Sequence, residues 1–246
     1  MTHYFLSDAH LFPEPLEHPG REALIRFLGS LATDREPGSL WILGDLFDFW
    51  FEFRGRMPAG FERVLRSLRA LTDSGWSGSM IPGNHDFWLD GRFEESTGFH
   101  LIGDPFTLKL QGGNALLAHG DALGGGDYGY RLILRPLLRA RLSARLFGGL
   151  PEGVGNRIAR MASGTSKRIL RREVDSIPKG LLDWVSETLD ARDDVRIVIT
   201  GHTHVPLITG FERGIHISLG DWISHRSFAT IDDRTGEFGL VADHAP

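Results

Sequence analysis

The sequence predicts an α/β chain built on two sheets, and three observations carry that prediction. In the first third, short apolar runs alternate with segments whose apolar residues recur at helical spacing, in the order βαβαβ. In the last third, short apolar runs follow one another across turn residues, as antiparallel strands do. Five of the apolar runs end in His, Asp or both, the pattern expected where strands deliver polar groups to a shared edge.

Taken in order, His3–Ser7 reads as a buried strand bounded by Asp8. Residues 11–20 form a loop carrying Pro13, Pro15 and Pro19. Arg21–Leu31 has the helical spacing Leu24, Ile25, Phe27, Leu28, Leu31, and Ser39–Leu43 is a second buried strand. Leu46–Phe53 is aromatic, with Phe47, Phe49, Trp50, Phe51 and Phe53. Phe61–Leu71 is again spaced as a helix, with Arg on its outer face. Ser77–Ile81 is a third strand, after which Pro82-Gly83 turns the backbone into Asn84-His85-Asp86.

Phe106–Leu110 and Asn114–Ala118, separated by Gln-Gly-Gly, predict a hairpin. From Gly124 to about Asp190 the chain is basic and mainly helical, broken at Gly148–Gly155, with Pro178 opening its last helix. Val195–Thr200 is a core strand. Pro206–Phe211, Ile215–Leu219, Ser227–Ile231 and Phe238–Val241 are expected to form a closing antiparallel meander. The chain therefore divides into a core of residues 1–123 and 193–246 and an inserted basic helical cap of residues 124–192.

Composition narrows the function classes. At 246 residues and 41% hydrophobic, the chain can bury a sizeable core, and no run is long enough to span a membrane. It enters a strand at Tyr4 without a basic region and cleavable apolar stretch, which predicts no signal peptide and a cytoplasmic protein. The absence of cysteine removes disulfides and thiolate metal sites, leaving His, Asp, Asn and Glu as ligands. The net charge of −5 conceals an asymmetry: Tyr128–Arg172 holds ten Arg and Lys167 against Glu152 alone. A block of that kind calls for an anionic partner or surface.

The strand-end residues fit a two-metal hydrolytic centre. Two divalent ions about 3.5–4 Å apart need a bridging carboxylate and hard or borderline ligands. Asp8 and His10, two apart at one strand end, can face one ion, and Asp45 at the next strand end can bridge two. Asn84 supplies a neutral oxygen that does not repel a phosphate, and His119, His202 and His204 complete the set. Singly, each residue is more simply a hydrogen-bonding cap. Jointly, five strand ends would have to acquire them for unrelated reasons.

Asp8-x-His10, Gly44-Asp45-x-x-Asp48, Gly83-Asn84-His85-Asp86, His119-Gly120-Asp121 and Gly201-His202-x-His204 resemble, in order, the five signature blocks of the calcineurin-like metallophosphoesterases. The resemblance implies a four-layer α-β-β-α sandwich with two divalent ions at the strand ends, Mn²⁺ first and Fe²⁺ or Zn²⁺ next. It assigns Asp8, His10, Asp45 and His204 to one ion, and Asp45, Asn84, His119 and His202 to the other. A metal-bound water then attacks phosphorus, His85 stabilises the transition state or protonates the leaving oxygen, and Asp86 orients His85.

Within that family the closer resemblance is to the bacterial UDP-2,3-diacylglucosamine hydrolases, pyrophosphatases of the lipid A pathway. It rests on Ser7-Asp8-Ala9-His10-Leu11, Gly44-Asp45-Leu46-Phe47, Asn84-His85-Asp86-Phe87, His119-Gly120-Asp121-Ala122-Leu123, Asp127-x-x-Tyr130, Gly201-His202-Thr203-His204-x-Pro206 and Leu219-Gly220-Asp221-Trp222. It implies an acylated UDP-sugar substrate, contacted by Asn84, His85, Asp127, Tyr130, Ser163, Ser166, Lys167 and His202. The cap mixes Arg with Leu132-Ile133-Leu134, Leu137-Leu138, Leu142 and Leu146-Phe147, a composition that can shelter acyl chains and meet an anionic membrane surface. Those enzymes carry Arg where this chain has His85; Arg offers a fixed charge and a fork of donors, whereas His can also give up a proton. The alternative expectation is a soluble nucleotide phosphodiesterase or phosphatase of the same superfamily. Nucleic acid is not an expected partner.

Overall fold

The computed structural model describes residues 1–52, 56–121, 123–124 and 176–242. β1 (Thr2–Leu6), β2 (Ser39–Leu43) and β3 (Ser77–Ile81) lie parallel, joined by α1 (Arg21–Asp34) and α2 (Glu62–Asp73). The short β4 (His100–Leu101) extends this sheet beyond β3. On the other side β10 (Ser227–Asp232) pairs antiparallel with β1, and β11 (Phe238–Ala242) with β10. The second sheet runs β5-β6-β7-β9-β8, from β5 (Phe106–Leu108), β6 (Asn114–Ala118), β7 (Val195–Thr200), β9 (Gly214–Leu219) and β8 (Pro206–Phe211). Strands β6, β7 and β9 are parallel, and β5 and β8 close the edges antiparallel.

Alternation along the strands sorts the apolar side chains into three layers of contact. Leu6, Leu40, Ile42 and Met80 face α1 and α2, meeting Leu24, Leu28, Leu68 and Leu71. Their strand neighbours Phe5, Trp41, Leu43 and Ile81 face the other way and pack on Leu117, Ile199, Ile217 and Leu219 of the second sheet. Beyond that sheet, Leu116 and Val198 meet Leu181, Val185 and Leu189, one apolar stripe of α4 (Lys179–Ala191). Helix, sheet, sheet, helix is the four-layer order that the sequence blocks imply.

Two expectations differ from the structure. The closing meander is two hairpins divided between the sheets: β8–β9 completes the second, whereas β10–β11 crosses to the first. Gly220 at φ +77 turns the chain out of β9, and Trp222 N–H then bonds to the Asp8 carbonyl at 3.2 Å, which delivers β10 to β1. Period-two patterning identifies a strand without naming its sheet. The other difference is α3 (Gly91–Thr97), a helix too short for periodicity to betray. Its signals are at its ends: Asp90 accepts the Arg92 N–H at 2.9 Å, and Gly98 adopts the left-handed conformation that closes the helix.

Among the described residues no helix is long and apolar enough to cross a membrane. Residues 125–175, most of the expected cap, lie outside the described residues. Helix α4, within the 124–192 segment expected as cap, packs instead on the second sheet as its outer layer.

Candidate metal centre

The carboxyl ends of β1, β2, β3, β6 and β7 converge on one place. Chain reversal there is tight enough that Asp8, His10, Asp45, His202 and His204 all have positive φ, between 44° and 65°. Such left-handed non-glycine residues cost about 1–3 kcal/mol each and persist where the surroundings fix them. Glycine permits the close approach between loops: a Cβ on Gly83 would stand 2.1 Å from Asp45 Oδ1, and one on Gly44 (φ +88) 2.4 Å from His119 Nδ1.

Among the described residues three groups of potential ligands result, and two of them hold the expected set. Asp8, His10 and His204 form one, with His10 Nε2 and His204 Nε2 at 3.6 and 3.5 Å from Asp8 Oδ1 and 3.3 Å from each other. Asp45, His119 and His202 form the other. Asn84 joins it, its Oδ1 lying 3.0 Å from His119 Nε2. Asp45 Oδ2 lies between the clusters, 3.7 Å from His10 Nε2 and 3.5 Å from His119 Nε2, where a bridging carboxylate belongs. All seven expected ligands are thus brought together.

The electrostatics fit a cation. Burial alone would lower His10, but Asp8, Asp45 and Asp48 outweigh it and raise its pKa to about 9. Burial likewise opposes charge on His119, yet Asp45, with Asp8 and Asp121 behind it, holds the pKa well above the usual imidazole value. Asp45 is held well below the carboxylate range by His119, His10 and His85 in spite of complete burial. The site draws positive charge into the interior, and Asp8 Oδ1 remains buried without a hydrogen-bond donor among the described residues. Divalent ions satisfy that oxygen and the imidazole nitrogens together. The Nδ1 of His119 bonds to the Leu43 carbonyl at 2.8 Å; since a carbonyl only accepts, Nδ1 donates and Nε2 is left facing the site.

His85 sits beside the clusters, its ring edge-on to that of His10 with centroids 4.6 Å apart. The expectation that Asp86 orients it is corrected. The Asp86 carboxylate accepts the backbone N–H groups of Leu46 and Gly83 at 2.8 Å and of Asp45 and Phe47 at 3.3 Å. It therefore ties the β2 loop to the β3 loop, a job for which the buried acceptor has no spare capacity. His85 Nδ1 bonds instead to the Asp48 carbonyl at 2.8 Å, with Asp48 Oδ1 3.9 Å away.

Two functional-site residues received no role from the sequence. Asp48 is buried with both carboxylate oxygens unpartnered among the described residues, and groups with His10 and His85. Asp221 stands behind His204, Oδ2 to Nδ1 3.3 Å. Its signal was available, since Ile217-Ser218-Leu219-Gly220-Asp221 is a sixth apolar run ending in a carboxylate. Asp127, Tyr130, Ser163, Ser166 and Lys167 lie outside the described residues.

Comparison with known proteins agrees with this geometry. The UDP-2,3-diacylglucosamine hydrolase of Ectopseudomonas mendocina (strain ymp) is 35% identical over 225 residues, covering 88% of each chain. That of Neisseria gonorrhoeae (strain ATCC 700825 / FA 1090) is 35% identical over 236 residues, covering 93% of this chain and 92% of its own. The structure of an archaeal phosphodiesterase, 12% identical with a TM-score of 0.52, covers 98% of this chain and 99% of its own, a likeness of fold. Residues 1–206, which hold every expected ligand, match the calcineurin-like phosphoesterase family. With two ligand clusters sharing Asp45 at the edge of a four-layer sandwich, the chain belongs to that family of divalent-metal phosphoesterases.

Proposed function

We propose that this protein is a two-metal hydrolase that cleaves the pyrophosphate of UDP-2,3-diacylglucosamine or a closely related acylated UDP-sugar. The observation that carries the reading is the pair of ligand clusters joined through Asp45, in a chain about a third identical to relatives bearing that name over most of its length.

Asp8, His10, Asp45 and His204 would hold one ion, and Asp45, Asn84, His119 and His202 the other; Mn²⁺ suits this nitrogen and oxygen donor set. When bound, the ions supply Lewis-acid neutralisation of phosphoryl charge and an acidified water. The chain supplies the rest. Asn84 contributes a ligand oxygen without adding a negative charge that would oppose the diphosphate. Donating from Nδ1 to the Asp48 carbonyl, His85 in its imidazolium form would offer Nε2–H to the phosphoryl oxygens or pass that proton to the leaving oxygen. Asp86 keeps the Asp45 and Asn84 loops together.

The basic stretch within 124–192 is proposed as the cap, with Asp127, Tyr130, Ser163, Ser166 and Lys167 meeting the substrate headgroup. Its Arg residues and apolar runs suit a peripheral position on the cytoplasmic face of a membrane. The test is release of UMP from the diacylated substrate with Mn²⁺, beside soluble phosphodiesters. Manganese-stimulated UMP release is expected. Turnover of the soluble esters alone would overturn the lipid substrate and leave a soluble phosphodiesterase.

A further inference from the structure

His119 and His204, one imidazole from each ligand cluster, differ in what stands behind them. Behind His119 is a neutral carbonyl, that of Leu43. Behind His204 is a carboxylate, with Asp221 Oδ2 3.3 Å from Nδ1. Asp221 is buried, and its other oxygen accepts the N–H groups of Ile223, Ser224 and His225 at 3.0, 2.7 and 3.1 Å. The turn after β9 therefore fixes Oδ1 and leaves Oδ2 to face His204, with His225 Nδ1 a second neighbour at 3.5 Å. A carboxylate oxygen can only accept here, so His204 donates from Nδ1 to Asp221, which leaves Nε2, 3.5 Å from Asp8 Oδ1, to give its lone pair to a cation placed between them.

We propose that Asp221 is the positioning residue of the Asp8–His10–His204 half of the centre, holding His204 in the tautomer that can bind metal. This rests on the metal reading given above. A carboxylate behind a ligating imidazole also raises the basicity of the ligand, so His204 and His119 are held differently.

Asp221→Asn tests it, because the change is nearly isosteric. Asn Oδ1 still closes the turn, while its amide N–H₂ meets His204 Nδ1 and moves the imidazole proton to Nε2, the ligating atom. In the unsubstituted protein loaded with Zn²⁺, which is diamagnetic, ¹⁵N spectra at neutral pH are expected to show His204 protonated at Nδ1; an unprotonated Nδ1 overturns the proposal without any variant. Titration calorimetry with Mn²⁺ alone is expected to give two binding events for the unsubstituted chain. In Asp221→Asn one of them weakens by roughly ten- to hundredfold and the other is unchanged. Two unchanged events in a folded variant overturn the role of Asp221 only. No Mn²⁺ binding by the unsubstituted chain overturns the metal reading itself.

Discussion

The two sheets bring different chemistry to one centre. The first supplies the oxygens of Asp8, Asp45 and Asn84 with one imidazole, His10, on loops that follow three parallel strands. The second supplies imidazole alone: His119 after β6, then His202 and His204 after β7. Each cluster nevertheless draws on both sheets, since His204 joins Asp8 and His10, and Asp45 joins His119 and His202. The centre is therefore a property of the contact between sheets rather than of either one. Phe5, Leu43 and Ile81 packed on Leu117, Ile199 and Leu219 hold it in register.

The largest effect should come from the residue that belongs to both clusters. Asp45→Ala removes the shared carboxylate, and loss of several kcal/mol of charge stabilisation predicts a fall in Mn²⁺-dependent hydrolysis of roughly a thousandfold or more. Circular dichroism would confirm that the variant is folded. A variant retaining a tenth of the rate would mean that one sheet's ligands suffice. His85→Ala, which removes none of the seven expected ligands, should cost roughly a hundredfold through lost proton transfer or transition-state binding, with Mn²⁺ still bound at both sites.

Packing separates the interior from the outer layers. Leu117→Ala, between the sheets, and Leu68→Ala, under α2, should each cost about 2–5 kcal/mol in urea unfolding. Only Leu117→Ala should also weaken Mn²⁺ binding, because only it loosens the register of the two ligand sets. Equal metal affinity in both variants would show that the loops, tied by Asp86 and the backbone, fix the centre without the interior layer. Conversely, ions that join two sheets must stabilise them. Mn²⁺ at a hundredfold excess over its dissociation constant should add about 2.7 kcal/mol per site, raising Tm by roughly 5–10 °C for each site filled. EDTA should reverse the shift.

Much of this arrangement was legible in the sequence because both signals are local. Short apolar runs placed β2, β3, β6, β7 and β8 to the residue, and His, Asp or Asn within three residues of the run marked the ends of β2, β3, β6 and β7. What escaped depends on contacts distant in the chain. Which sheet receives β10 is settled by Gly220 and by the bond from Trp222 to Asp8, some 214 positions apart, and no period records it. The role of Asp86 escaped for a similar reason: adjacency to His85 invites a pair, but the unpaired N–H groups of the Asp45 loop claim the carboxylate first. Asp48 carries its message through a main-chain carbonyl, which side-chain identity does not advertise.

The smallest expected effect extends the contrast between the sheets to acid. His216 on β9 is fully buried, bonded through Nε2 to Thr200 Oγ1 at 2.9 Å, and burial lowers its pKa to about 4. His3 on β1 is lowered in the same direction by burial, with Asp233 and Asp232 pulling back. A folded-state pKa below the unfolded value favours the neutral ring. The stabilisation is complete above about pH 6.5 and is lost as pH falls through the window towards 4. For His216 the loss should reach about 2 kcal/mol by pH 5. Urea unfolding of the metal-free protein at pH 7 and pH 5 reads it directly, since the ligand imidazoles are common to every variant. His216→Gln should flatten the pH dependence more than His3→Gln does, because acidic neighbours already offset part of the burial at His3. If the two variants flatten it equally, or neither does, the second sheet is not the more acid-sensitive of the pair.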